Sequence, residues 1–70
     1  MFEEHQQAWL KMVDERTGGS ERHLAAAEAI LANTSVPAPH VDAAEELVRF
    51  NLVFPQKPDG SYEANLFPKF

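Results

Sequence analysis

The sequence contains no cysteine, and this absence limits how the fold can be stabilised. Without thiols the chain has no disulfide and no thiolate ligand for a metal ion, so its stability must come from packing or from a partner. No apolar run approaches the roughly 18 residues that a membrane span needs. The start, Met1-Phe2-Glu3-Glu4, lacks the basic and apolar regions of a signal peptide. We therefore expect a cytoplasmic protein that does not enter a membrane.

Positive charge is also scarce, since 6 lysines and arginines stand against 11 aspartates and glutamates and give a formal net charge of −5. The acidic residues are spread over the predicted helices and are not gathered in a tail. A surface of this kind is repelled by phosphate backbones and by anionic membranes. The composition therefore disfavours nucleic acid as a partner and suits a protein with a basic patch.

The 70 residues are enough for one small domain, which we place over residues 1–70. Hydrophobic residues make up 44% and charged residues 24% of the chain, a composition typical of globular proteins and unlike a disordered segment. A domain of this length buries a modest core and is only marginally stable. A homodimer would add buried area to that core, so self-association is compatible with the sequence.

Two segments in the first half of the chain have apolar residues at the spacing of an amphipathic helix. The first spans residues 2–17 and carries Trp9 on its apolar side. Gly18-Gly19 ends this helix, because glycine readily takes the left-handed conformation found at helix C-termini. Ser20 is a suitable N-cap for a second, alanine-rich helix that ends near Asn33.

The second half of the chain begins with a third predicted helix, over about residues 40–51. Residues 52–54 then form a short β-prone run, residues 57–60 have strong turn chemistry, and residues 61–67 alternate weakly as a return strand would. The predicted fold is mainly α, with three helices followed by a short C-terminal β-hairpin. An isolated hairpin is not stable, so it must pack on the helices or on a partner.

Groups able to carry out chemistry are sparse in this chain. His5, His23 and His40 lie on three different predicted elements, and none belongs to an HExxH-like motif. The pair Glu45-Glu46 points about 100° apart on a helix and cannot share a proton as a catalytic dyad does. Gly18-Gly19-Ser20 resembles a phosphate-binding turn but lacks a P-loop lysine. We therefore expect no catalysis, no metal ion and no cofactor.

Aromatic residues are concentrated near the C-terminus, and the sequence leaves two roles open for them. They could cover the helical core, or they could form an exposed apolar patch that meets another chain, and Trp9 has the same two alternatives. The leading hypothesis is a noncatalytic module that binds another protein and modulates its activity or assembly. The candidate contacts are Trp9, Phe54, Tyr62, Phe67 and Phe70, with Glu45 and Glu46 facing a basic partner.

An alternative comes from the order of the predicted elements in residues 20–67, which is similar to the end of a winged helix-turn-helix domain. In that comparison residues 40–51 take the place of the recognition helix and Pro58-Asp59-Gly60 is the wing tip. The similarity is one of element order only, and a fold does not give a function. It implies a small DNA-binding transcriptional regulator with contacts from His40, Arg49, Asn51 and Lys57. The acidic residues of the third helix argue against that alternative, because DNA readout needs Arg, Lys, Asn or Gln.

Overall fold

The computed structural model describes residues 2–69 of the chain. Three α-helices lie within them: α1 over Glu4–Thr17, α2 over Glu21–Leu31 and α3 over Val41–Arg49. A single 3-10 turn at Ala38–His40 leads directly into α3. The prediction of a mainly helical fold with three helices is confirmed. Within the described range, none of the helices is both long and apolar enough to cross a bilayer.

The first two helices begin where side chains form hydrogen bonds with backbone amides. Ser20 is the N-cap of α2, as predicted, and its Oγ accepts a hydrogen bond from the His23 amide at 3.4 Å. The first helix begins later than the predicted residue 2. There the Gln6 side chain accepts from the amide of Glu3 at 2.9 Å, which makes Glu3 the N-cap.

Each of the three helices is followed, one or two positions after its last residue, by a residue in the left-handed conformation. These residues are Gly18 (φ 65°), Asn33 (φ 58°) and Asn51 (φ 65°). At the end of α3, the amide of Leu52 donates to the Leu47 carbonyl at 3.0 Å. Equivalent bonds close α1 and α2, so each helix ends in a Schellman motif that satisfies its last carbonyls.

The core lies where α2 packs against both α1 and α3. Trp9 is fully buried at its centre, and its indole Nε1 donates a hydrogen bond to the Leu52 carbonyl at 2.8 Å. Small side chains on α2 and α3 allow the two helices to approach closely, as the alanine-rich second helix suggested. The buried residues are Trp9, Val13, Ala26, Ala27, Ile30, Ala43, Ala44, Leu47, Leu52 and Val53.

The predicted C-terminal β-hairpin is not seen, because residues 2–69 contain no β-strand. The chain does reverse at 57–60, where the Gly60 amide donates to the Lys57 carbonyl at 2.8 Å. The arms of this reversal run antiparallel but pair only at an isolated bridge between Val53 and Ala64. Pro55 fixes its φ near −65°, far from the extended backbone of an antiparallel strand, and has no amide N–H to donate, so the ladder is interrupted there. Beyond it the Lys57 amide donates to the Ser61 carbonyl at 2.9 Å and closes the turn. We call residues 52–67 the C-terminal loop.

The similarity to a winged helix is correspondingly reduced. Both strands that would flank the wing are absent from the described residues. The connector between α2 and α3 covers residues 32–40, whereas a helix-turn-helix joins its helices by a turn of about three or four residues. The structure therefore supports a three-helix fold with a C-terminal loop, and no closer architecture.

Candidate interaction surface

Two phenylalanines on the C-terminal loop are the most exposed large apolar side chains among the described residues. Phe67 is 69% exposed and Phe54 is 45% exposed, while Phe50 and Val41 are nearer 40%. Both Phe54 and Phe67 belong to the set of contacts predicted from the sequence. Phe70, from the same set, lies outside the described residues.

Phe67 is exposed although its position is well defined by contacts. Its ring meets the imidazole of His5 edge to face, with ring centroids 5.3 Å apart. Just beyond it, the carbonyl of Lys69 accepts a hydrogen bond from Asn51 Nδ2 at 2.9 Å. Asn65 Nδ2 donates in turn to the Asn51 carbonyl at 3.0 Å. Residues 65–69 are thus attached to Asn51 beyond the end of α3, and Phe67 lies beside the first turn of α1.

Phe54 points away from the core because its neighbour points into it. Val53 is buried, and successive side chains of an extended segment lie on opposite sides of the backbone. The Phe54 amide donates to the Glu63 carbonyl at 2.9 Å, which fixes the ring on the outer side of the C-terminal loop. The Glu63 carboxylate also contacts Lys57 Nζ at 3.6 Å.

The structure corrects the prediction that Trp9 contacts a partner. Its side chain is fully buried, and its one polar group is bonded to the Leu52 carbonyl. Trp9 therefore belongs to the core and holds the start of the C-terminal loop against α1. Tyr62 is intermediate between the buried Trp9 and the exposed phenylalanines, since its ring is half-buried against the core and its hydroxyl lies at the surface.

The acidic side chains of α3 are engaged with other parts of the same chain. Glu45 Oε1 accepts from the Tyr62 hydroxyl at 2.9 Å, and Glu46 Oε2 lies 3.0 Å from His23 Nε2. Asp42 forms an ion pair with Arg22. These three contacts join α3 to the C-terminal loop and to the start of α2. Glu45 and Glu46, predicted to face a basic partner, are exposed but already have these internal contacts.

These contacts shift pKa values, among them those of Asp42 and Tyr62. The hydrogen bond from Arg22 lowers the pKa of the Asp42 carboxyl, and its positive charge acts in the same direction. The pKa of Tyr62 is raised, first by its burial and then by its hydrogen bond to Glu45, which stabilises the neutral phenol. Asp42 is therefore ionised and Tyr62 neutral under ordinary conditions.

His23 forms a cluster that the sequence analysis missed. Its Nδ1 lies 2.7 Å from Ser20 Oγ, and its Nε2 contacts Glu46. Serine, histidine and glutamate also form hydrolytic triads, but here the serine hydroxyl is the helix cap, and neither cleft described below reaches these residues. The i, i+3 spacing of Ser20 and His23 after a capping position was the available signal. We interpret the cluster as a joint between α2 and α3.

The four residues proposed for DNA contact do not form one basic face. His40 is half-buried just before α3, with Nδ1 buried and without a hydrogen-bond partner among the described residues. The Asn51 amide is bonded to Lys69, and Lys57 contacts Glu63. Arg49, at the end of α3, is exposed. Likewise, no three histidine, aspartate or glutamate side chains within residues 2–69 lie where they could hold a metal ion.

Two clefts open beside Tyr62. The larger, which we call the linker cleft, has a volume of about 280 Å³ and lies between the end of α2, the connector after it and the 57–60 turn. The smaller, of about 160 Å³, shares Ile30, Asn33 and Tyr62 with it and extends towards Gln6 on α1. Sequence reasoning placed residues 57–60 in a turn but gave no indication of a cleft beneath it.

Comparisons of this chain with protein-family profiles, with curated proteins and with solved structures find no match. Functional proposals for this protein therefore start from the exposed phenylalanines, the acidic surface and the clefts.

Proposed function

We propose that this protein is a noncatalytic module that binds another protein through Phe54 and Phe67 and modulates that partner's activity or assembly. The observation that carries the proposal is the exposure of these two rings, 45% and 69%, beside a core that fully buries Trp9 and Leu47. A chain that can bury large side chains, yet leaves two aromatic rings in water, has apolar area ready for a partner.

The attachment of both rings also supports a binding role. Phe54 is fixed by the bond from its amide to Glu63, and Phe67 by its contact with His5 and by the bonds that tie the chain end to Asn51. Because the backbone around the rings is already ordered, little conformational entropy would be lost when a partner covers them.

The charge of the protein suggests the character of the partner surface. With a formal net charge of −5, the protein favours a surface that has basic residues around an apolar site. Complementary charge of this kind speeds association and excludes other acidic proteins, while the buried rings supply most of the affinity.

The experiment is affinity capture of the tagged protein from its native cells, with and without nuclease, followed by mass spectrometry. We expect a stoichiometric protein partner that survives nuclease. The double variant Phe54→Ser/Phe67→Ser should lose it while keeping the helical circular-dichroism signal. Phe50→Ser is the matched control, since it makes the same change at a third exposed ring outside the proposed contact. Full capture by the folded double variant would contradict the proposal.

The alternative of a DNA-binding regulator depends on element order and gains no support from charge, because the exposed side of α3 carries Asp42, Glu45 and Glu46. It predicts binding to duplex DNA at low salt that weakens on Arg49→Ala. In the capture experiment it predicts recovery of nucleic acid and loss of all partners after nuclease. That outcome would replace the protein-binding proposal.

A further inference from the structure

The linker cleft is lined by apolar and polar groups in similar measure. Ile30, Val36 and Val41 supply its apolar side chains, while Asn33, Asp59 and Ser61 supply polar groups. Its volume of about 280 Å³ is below the range of about 300 to 1,000 Å³ that is common for small-molecule sites. The cleft therefore suits a single long side chain better than a metabolite or a cofactor.

Asp59 gives this cleft a negative charge. Its Oδ1 accepts hydrogen bonds from the Ser61 amide at 2.9 Å and from the Ser61 hydroxyl at 2.6 Å. These bonds lower the pKa of the Asp59 carboxyl, so the group is ionised at neutral pH. Both bonds go to the same oxygen, and a carboxylate with two oxygens has further lone pairs that can accept from a ligand.

The surroundings of Asp59 add to this negative potential. The last turn of α2 reaches the cleft at Ile30, followed by Asn33 and Thr34 of the connector, and a helix C-terminus carries partial negative charge. Among the described residues, no lysine or arginine lines the cleft. Lys57, in the same turn as Asp59, contacts the Glu63 carboxylate at 3.6 Å. The cleft thus has a mixed lining with the carboxylate of Asp59 among its polar groups, and it is open to a cation.

We propose that the linker cleft binds an arginine side chain of the partner protein. The guanidinium bonds to Asp59, and the aliphatic stem lies against Ile30 and Val36. Arginine fits this combination because it carries five N–H donors at the end of an apolar stem. The smaller cleft, which continues past Tyr62, leaves room for the neighbouring residues of an extended partner segment. The inference rests on the proposed function in one respect, that the partner is a protein.

The test titrates N-acetyl-arginine amide into the isotope-labelled protein and follows the backbone amide resonances by NMR. The matched neutral probe is N-acetyl-citrulline amide, which has nearly the same shape and no charge. We expect arginine to shift the amides of Thr34, Gly60 and Ser61 with a dissociation constant in the millimolar range. Citrulline should cause little change. Absence of shifts from arginine, or equal shifts from citrulline, would overturn the inference.

Two variants test the assigned anion. Asp59→Asn removes the charge and keeps an oxygen that accepts from Ser61, so the turn is preserved. It should weaken arginine binding by about three- to fivefold, as expected for one exposed charge pair. Glu21→Gln makes the same change of net charge at an exposed site outside the cleft and should leave binding as in the wild type. Equal weakening by both variants would show a general charge effect and refute the site.

The outcomes separate this inference from the proposed function. If a captured partner requires Phe54 and Phe67 but binds Asp59→Asn as tightly as the wild type, the cleft assignment fails and the binding module stands. If arginine binds in the cleft while capture shows no protein partner that depends on the phenylalanines, the proposed function fails on its own test.

Discussion

Replacing Trp9 by phenylalanine tests whether one buried indole joins the helices to the C-terminal loop. The indole is fully buried, and its Nε1 donates to the Leu52 carbonyl at 2.8 Å. That carbonyl also accepts from the Asn65 amide at 2.9 Å. Trp9→Phe therefore leaves the acceptor with one partner, removes one hydrogen bond and leaves a void beside α2.

The expected cost follows from these two losses. A neutral hydrogen bond contributes about 1 kcal/mol, and the space left by the smaller ring costs a further 1–2 kcal/mol or so. The total is about 2–3 kcal/mol, against a stability of about 4–10 kcal/mol for a domain of this length. For so small a domain this loss lowers the melting temperature by roughly 10–20 °C.

The assay is urea unfolding followed by circular dichroism, because the variant has no tryptophan whose fluorescence could be used. Phe67→Ser is the control, since the ring it removes is mostly exposed and should change stability little. A loss of less than about 0.5 kcal/mol for Trp9→Phe would refute the assignment of Trp9 to the core. So small a loss would make Trp9 a candidate for a surface contact with a partner again.

Three further predictions follow from the helix end of α2, from one ion pair and from the only tyrosine. Asn33 has the left-handed φ of 58°, which glycine adopts more easily than other residues. In urea titrations Asn33→Gly should raise the free energy of unfolding by up to about 1 kcal/mol, and Asn33→Ala should lower it by a similar amount. Equal stability of the two variants would contradict the left-handed conformation. The hydrogen bond from Arg22 lowers the pKa of Asp42 in the folded protein. The stability that this ion pair contributes is therefore present above the unfolded pKa of about 3.9 and is lost as the pH falls through the lower folded pKa. Melting temperatures between neutral and acidic pH should therefore fall less steeply for Asp42→Asn, and parallel curves would contradict this. Burial, with the bond to Glu45, raises the pKa of Tyr62, so its ultraviolet titration should have a midpoint above that of a free phenol, and Glu45→Gln should lower it. Because the pKa of Tyr62 is higher in the folded protein, the stability that the neutral phenol contributes is present below the pKa of Tyr62 in the unfolded chain and is lost as the pH rises through its folded pKa. A titration midpoint left unchanged by Glu45→Gln would refute the hydrogen bond between Tyr62 and Glu45.

Local sequence determined the helices of this protein. Apolar spacing and end signals act over a few residues, so the Ser20 cap, the stop at Gly18 and the turn at 57–60 could all be predicted and were confirmed. The boundaries were less accurate. The first helix begins at Glu4 because the Gln6 side chain bonds back to Glu3, a contact the prediction did not consider.

Only the tertiary structure decided which side of the protein each aromatic residue occupies. Trp9 and Phe67 were equivalent candidates in the sequence, yet one is fully buried and the other 69% exposed. The predicted hairpin is not seen among the described residues for a related reason. Pairing of 52–54 with 61–67 is limited to the bridge between Val53 and Ala64, because Pro55 interrupts one arm. The Leu52 carbonyl accepts from the Asn65 amide and also from Trp9, which lies 43 residues earlier in the chain. Helix formation is governed by neighbours along the chain, whereas burial and strand pairing depend on distant segments that only the folded structure brings together.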